Sequence, residues 1–228
     1  FLLMQGEALR QQWAVEVVEG MPTTTWQKGQ VVTGSYLLPL DRGLPGGDYS
    51  LRARIVEGSG HLAGEVELAA HLQVKPRLDA GMVEGMARHR LENISFGGQI
   101  GLVGYDVSAE ELRPGETLEL TLYWVCQEPL AIDYVVFVHL VDANSQIVAQ
   151  CDVMPDDWSA PTSGWAVGDA LADRYRVALP SWLESGTLQV VVGLYDYVTG
   201  ERLPVLRDGR ATGDDSLRLP TTITVAAP

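Results

Sequence analysis

The residues with the most chemical potential in this chain are clustered carboxylates, four histidines, two cysteines and a group of aromatics. Asp152, Asp156 and Asp157 surround Pro155, and Asp214 adjoins Asp215. Paired carboxylates serve a glycosidase as acid and base, or hold calcium through their oxygens. Neither group follows the EF-hand spacing, and no catalytic histidine or tyrosine accompanies them in sequence. They read as solvated loop carboxylates. His61, His71, His89 and His139 have no partner at a metal-ligand spacing. His139 sits in an apolar run between Phe137 and Val141, where a hydrogen-bonded structural histidine is expected. Cys126 and Cys151 match no zinc or redox motif, and their spacing leaves open whether they form a bridge.

No Gly-x-Ser-x-Gly elbow is present. The glycine-rich stretches Gly43–Gly47 and Phe96–Gly98 precede strand patterns rather than helices, so they are not phosphate loops. These residues predict a non-enzymatic protein with no catalytic residue, no metal site and no cofactor. The aromatics are the best lead to a ligand. Trp158, Trp182, Tyr195 and Tyr197 cluster in the second half of the chain. Flat rings beside carboxylates could stack on the apolar C–H faces of a sugar while the carboxylates accept its hydroxyls. Core or interface packing is the competing reading, since rings dominate both.

The elements that must position these residues emerge from a repeat. At an offset of 139 residues, Pro22, Thr23, Trp26, Gly29, Tyr36, Leu40, Leu44 and Gly47 match Pro161, Thr162, Trp165, Gly168, Tyr175, Leu179, Leu183 and Gly186 without a gap. The match runs into apolar alternation, with Tyr49, Leu51, Ala53 and Ile55 answering Leu188, Val190, Val192 and Leu194. A period of two marks a strand with one buried face. The second copy then inserts residues 196–204 and a Gly/Asp-rich loop over 208–215, and the copies meet again at Glu65–Val74 and Leu217–Val225. Trp26/Trp165 and Tyr36/Tyr175 read as fold determinants: a buried indole, and a tyrosine whose hydroxyl ties a corner.

The same offset sets Phe1 opposite Leu140, so residues from about 93 to 139 have no counterpart in the first copy. They read as opening strands: Gln99–Val107, then a turn at Arg113–Glu116, then Thr117–Cys126 with Leu118, Leu120, Leu122 and Trp124 on one face. Asp133–Asp142, a turn at Asp142–Ser145, and Gln146–Asp152 follow. Asp79–Arg90 carries two glycines and no 3.6-residue stripe, and reads as a linker. The sequence thus predicts an all-β protein of two tandem immunoglobulin-like antiparallel β-sandwich modules. Residues 1–78 form a partial module lacking its N-terminal strands, 79–92 a linker, and 93–228 a complete module. The open edge and apolar face of the first should be covered by the second module, by a partner chain, by a second copy in a homo-oligomer, or by residues upstream of Phe1.

Composition narrows the partners. The net charge of −14, from 30 acidic against 16 basic residues, repels phosphate backbones and anionic headgroups, which argues against nucleic acid and electrostatic membrane docking. No apolar run of membrane-spanning length occurs, so this segment is not expected to insert. With no initiator methionine and no signal peptide, the chain reads as part of something longer.

Over about 93–225, and partly over 21–55, the sequence has a recognisable style. Its motifs are Ser95–Tyr105, Pro114–Trp124, Val136–Asp142, Gly164–Gly168 and Val192–Pro204. In these it resembles the C-terminal extracytoplasmic β-sandwich repeats of bacterial multi-pass membrane proteins related to the dolichyl-phosphate-mannose mannosyltransferases. The resemblance implies an extracytoplasmic accessory tail on a membrane enzyme and transfers no catalytic residue. The expected role is a structural or interaction module with a protein or glycan partner. The alternative is a carbohydrate-binding module using the second-module aromatics.

Overall fold

A computed structural model describes residues 1–16, 23–41 and 44–227. Met21, Pro22 and Gly43 of the motifs above lie outside the described residues. The chain divides into two compact units, Phe1–Arg77 and Leu78–Pro228. Both are built on antiparallel sheets, and the described residues are all-β apart from one short α-helix and two single 3-10 turns, Thr23–Thr25 and Thr162–Gly164.

Among its described residues the first unit has four strands: β1 (Leu2–Gln5), β2 (Ala8–Gln12), β3 (Gly47–Val56) and β4 (Leu62–Val74). They form one sheet in the order β2-β1-β3-β4. Gly6, with φ of 58°, allows the two-residue turn between β1 and β2. Along β3 and β4 the faces separate by chemistry. Arg52 pairs with Glu65 at 3.5 Å and with Glu67 at 3.8 Å on one face, while Leu51, Ala53 and Ile55 point to the other.

The second unit opens with α1 (Ala80–Met86), capped by Asp79, whose carboxylate accepts the Met82 N–H at 2.9 Å. Strands β5 (His89–Arg90), β6 (Ile94–Phe96), β7 (Ile100–Val107), β8 (Glu111–Leu112), β9 (Thr117–Cys126), β10 (Tyr134–Val141), β11 (Ile147–Val153), β12 (Ala170–Ala178), β13 (Gly186–Asp196), β14 (Val205–Arg207), β15 (Arg210–Ala211) and β16 (Leu217–Val225) follow. One sheet runs β12-β9-β7-β6-β14-β15, with β5 beside β7. The other runs β11-β10-β13-β16-β8. They face each other across one core. Leu118, Leu120, Leu122 and Trp124 of β9 meet Val136, Val138 and Leu140 of β10 and Val190, Val192 and Leu194 of β13. Removing each such side chain from water stabilises the fold by roughly 1.5–3 kcal/mol. The unit is therefore a β-sandwich. Tyr105 ties the layers together: its hydroxyl, on β7, bonds Thr221 Oγ1 of β16 at 2.8 Å.

The structure revises four local readings. Residues 79–92 are no free linker. Val83 of α1 is buried against Tyr123 and Val125, so this segment packs on the second unit. Two glycines and a single buried apolar position hid the helical stripe. The central buried indole is Trp124, while Trp165 is only partly buried at the core margin. Tyr175 sits inside β12 and donates to Asp173 two residues earlier, so the tying hydroxyl is that of Tyr105. The loop over 208–215 holds the turn and the second strand of the β14–β15 hairpin, turned by Asp208 and Gly209 with φ of 50° and 71°.

Local geometry recurs at the 139-residue offset. Trp26 N–H donates to Thr23 O at 3.2 Å, as Trp165 N–H does to Thr162 O at 3.0 Å. Gln27 N–H donates to the Gln30 side chain, as Ala166 N–H does to Asp169. Gly29 and Gly168 both hold φ of 87°, a value that costs a side-chain-bearing residue strain. The orders β2-β1-β3-β4 and β11-β10-β13-β16 correspond strand for strand. Gly47 pairs with Val74 as Gly186 pairs with Val225. The hairpins differ. Leu3 pairs with Leu51 and Leu140 with Val190, so Leu3, not Phe1, stands in the place of Leu140.

Candidate functional site

Two of the four aromatics singled out in the sequence come together. Beyond β11 the chain makes a tight turn in which Asp156, Asp157 and Trp158 all have positive φ, at 53°, 51° and 69°. Non-glycine residues rarely adopt this region, and three in a row need outside support. The support is polar. Asp156 N–H donates to Asp173 Oδ1 at 3.0 Å, and Ser159 Oγ donates to Asp156 Oδ2 at 2.7 Å. Trp158 N–H closes the turn on Met154 O at 3.2 Å. The indole is thereby held outward, 50% exposed.

It meets Tyr197, which is 57% exposed, edge to face at 5.6 Å and 80°. Tyr197 follows the end of β13, and its N–H reaches Asp133 O at 3.3 Å. Asp196 organises the next turn by accepting the Val198 N–H at 2.7 Å. That N–H, with further help from Thr199, holds the Asp196 carboxyl below the usual carboxylate range. Ile132 and Val198 are also exposed, extending an apolar patch at this end of the sandwich.

Tyr195 lies two residues before Tyr197, but it belongs to a different environment. It stacks at 6.4 Å on Phe137, on the outer face of the β10–β13 pair. Burial pushes its hydroxyl pKa up, and the charge of Asp152 adds to the shift. The same face holds His139, whose Nε2 is 3.6 Å from Asp152 Oδ1. Burial pulls the His139 pKa down against the opposing effect of Asp152. The guanidinium of Arg202 covers the Phe137 ring at 4.4 Å, and Arg202 also pairs with Asp215 at 3.4 Å. Gly193 makes room, since a Cβ there would lie 2.3 Å from Phe137 Cζ.

Trp182 stands apart, exposed in the turn after β12. Asp173 anchors the Trp158 turn, and Ala178 leads to the Trp182 turn. They are five residues apart on β12, about 17 Å at roughly 3.3 Å per residue. No single four-ring platform exists: the structure gives a Trp158–Tyr197 corner, a half-buried Tyr195 behind it, and Trp182 at the other end. A separate cleft of about 340 Å³ lined by Glu84, Arg90, Glu92, Asn93 and Gln127 contains none of these rings.

The acidic residues are similarly divided. Asp152 faces His139, Asp156 holds the turn, and Asp215 pairs with Arg202. Among the described residues, no three His, Cys, Asp or Glu side chains converge as a metal site. Cys126 and Cys151 are not joined by a disulfide, and the Cys126 thiol donates to Glu128 O at 3.3 Å.

Sequence reasoning missed Asp173, the buried carboxyl of β12. It accepts from Tyr175 Oη and from the Asp156 N–H. Burial raises its pKa from 3.8 to about 6, against those two hydrogen bonds. A carboxyl at an inward position of the alternating strand β12 was the available signal. The outer-face cluster was signalled by β10, whose eight residues are all buried: a strand apolar on both sides needs cover on both.

The Asp173 shift has a definite sign. Between pH 3.8 and about 6 the unfolded chain gives up this proton while the native state keeps it. The resulting stabilisation is complete below pH 3.8 and gone above about pH 6. Asp173→Asn removes the titration. Its stability relative to the unsubstituted protein should rise by roughly 2–3 kcal/mol between pH 4 and pH 7. Urea midpoints at several pH values measure this, and parallel pH curves for the two proteins would contradict it.

Compared with known proteins, the chain matches no protein-family model and no curated protein.

Proposed function

We propose that this chain is a non-catalytic, extracytoplasmic structural or interaction segment, built from two copies of one immunoglobulin-like sandwich module. It would form the accessory tail of a membrane-bound, glycosyltransferase-like protein. The observation that carries the module reading is the recurrence at one offset of a whole turn: its hydrogen bonds, its left-handed glycine and the sheet order around it. In the second unit the opening strand is split between layers. β7 lies beside β9, while β8 runs parallel to the last strand, β16, in the other sheet. Of the unit's twelve strands, the seven that are seven or more residues long (β7, β9, β10, β11, β12, β13 and β16), in two layers with this kind of exchange, fit an immunoglobulin-like sandwich.

The non-catalytic reading is supported by where the perturbed groups are used. Asp173 and Tyr175 are sealed in the core beside each other, and His139 and Tyr195 are packed under Arg202 and around Phe137. None stands beside a nucleophile in an open site. The extracytoplasmic placement and the membrane-bound parent rest on the sequence resemblance alone. Proteolysis of intact spheroplasts of the parent organism tests both. Cleavage within residues 1–228 by added protease is expected, and full protection until the membrane is broken would remove the reading.

The Trp158–Tyr197 corner favours a second reading as a carbohydrate-binding module. Two exposed rings at 80° offer an indole face and a phenol wall beside the loop carboxylates Asp156 and Asp157. That chemistry suits a neutral, hydroxyl-rich ligand better than an anion. Titration of tryptophan fluorescence with a panel of neutral oligosaccharides should give saturable quenching that Trp158→Ala abolishes and Trp182→Ala leaves intact. Silence across the panel ends this reading.

A further inference from the structure

Taken by itself, the first unit covers its apolar face only in part: Leu3 and Tyr49 are each 2% exposed, but the end at Ile55 and Leu40 is open, and the second unit shows what covers the equivalent end. Ile55 corresponds to Leu194, yet one is 54% exposed and the other 1%. Leu40 and Leu179 are 51% and 3% exposed. What differs is the opposing sheet. In the second unit β12 is held in place by β9, pairing from Ala170↔Val125 to Ala178↔Thr117. The counterpart of β12 is residues 31–39, and these form no strand.

The sequence of that stretch nonetheless suits a strand. It begins Val31, Val32, Thr33, three β-branched residues. At alternate positions it then places Tyr36, Leu38 and Leu40, where β12 and the residue after it place Tyr175, Val177 and Leu179. The ring of Tyr36 already meets Phe1 at 5.0 Å, and Gln11 and Trp13 of the β1–β2 side hold Pro39 O at 2.9 and 3.0 Å. Among the described residues, the segment lies against the sheet and is paired with no strand in the way that β12 is paired with β9.

We propose that residues 31–38 are completed by an antiparallel strand from the same polypeptide, contributed by the chain on the N-terminal side of Phe1. That strand occupies the place of β9 and carries apolar residues at alternate positions, as β9 carries Leu118, Leu120, Leu122 and Trp124. Three observations select this occupant. In the second unit β9 leads through the short connection 127–133 straight into β10, whose counterpart is β1. A strand tethered just ahead of β1 arrives at high effective concentration. A second copy brings another open face but no spare strand of this type, because its own β9 is paired on both edges, with β7 and β12. The other face of the β3–β4 pair carries the Arg52–Glu65 and Arg52–Glu67 ion pairs and needs no cover.

This inference rests on the reading of the units as copies of one module, and hydrogen exchange separates the two. Amide exchange is followed by mass spectrometry on the 228-residue chain and on the chain lengthened by about 45 residues encoded ahead of Phe1, the length that 93–137 spans in the second unit. In the shorter chain, residues 31–38 should exchange freely while 170–178 are protected. In the longer chain, 31–38 should gain protection of about a hundredfold or more. Leu40→Asp should abolish that gain and leave exchange in the shorter chain unchanged. Free exchange at 31–38 in the longer chain, with β1–β4 protected, overturns the proposal alone. Protection of 31–38 already present in the shorter chain also overturns it, whether set by the rest of the chain or rising with concentration through a second copy. Free exchange throughout β1–β4 in both chains overturns the module reading as well.

Discussion

A β-sheet with one apolar face has to have that face covered, and most features of this protein follow from how that requirement is met. In the second unit it is met by a second sheet. The inward residues of β9 and β12 pack on those of β10, β13 and β16, and the largest of them, Trp124, is fully buried. At roughly 25 cal/mol per Å² of apolar surface removed from water, this contact dominates the favourable side of folding. The turns at the two ends are then fixed by the strands they join, which is why Trp158 can be held outward on a strained turn. The support for that turn, Asp173, is itself anchored in the core.

The same requirement explains the outer face of the β10–β13 pair. Phe137, Val141 and Val191 point away from the sandwich core and are nonetheless buried. Arg202, Tyr195 and the bare backbone of Gly193 supply the cover. Residues 196–215, absent from the first unit, supply this cover through Arg202 and also add the β14–β15 hairpin to the opposite sheet. In the first unit the outward positions of β3 and β4 carry arginines and glutamates instead, so no such cover is required.

Much of this was legible in the sequence, because alternation with a period of two reports directly on a one-sided strand. Thr117–Cys126 was read to its exact ends, and the apolar side with Leu118, Leu120, Leu122 and Trp124 is the buried side. The repeat located Thr162, whose hydroxyl donates to Ile132 O and accepts the Tyr134 N–H, although sequence could not say that it pins a loop. Periodicity failed where burial comes from a single residue, as at Val83 of α1. It also failed where one residue type has several fates, as for the four aromatics. Tyr195 and Tyr197 are two positions apart, yet one packs on Phe137 and the other is open to solvent, because β13 ends between them.

The second unit meets the covering requirement by itself, and the first does not. Expressing Leu78–Pro228 and Phe1–Arg77 separately and recording urea unfolding by tryptophan fluorescence and circular dichroism tests this most directly. Leu78–Pro228 should unfold in one cooperative transition with dispersed amide resonances. Phe1–Arg77 should show no cooperative transition and should bind a hydrophobic dye such as ANS. A sharp, dye-silent transition for Phe1–Arg77 alone would contradict the account.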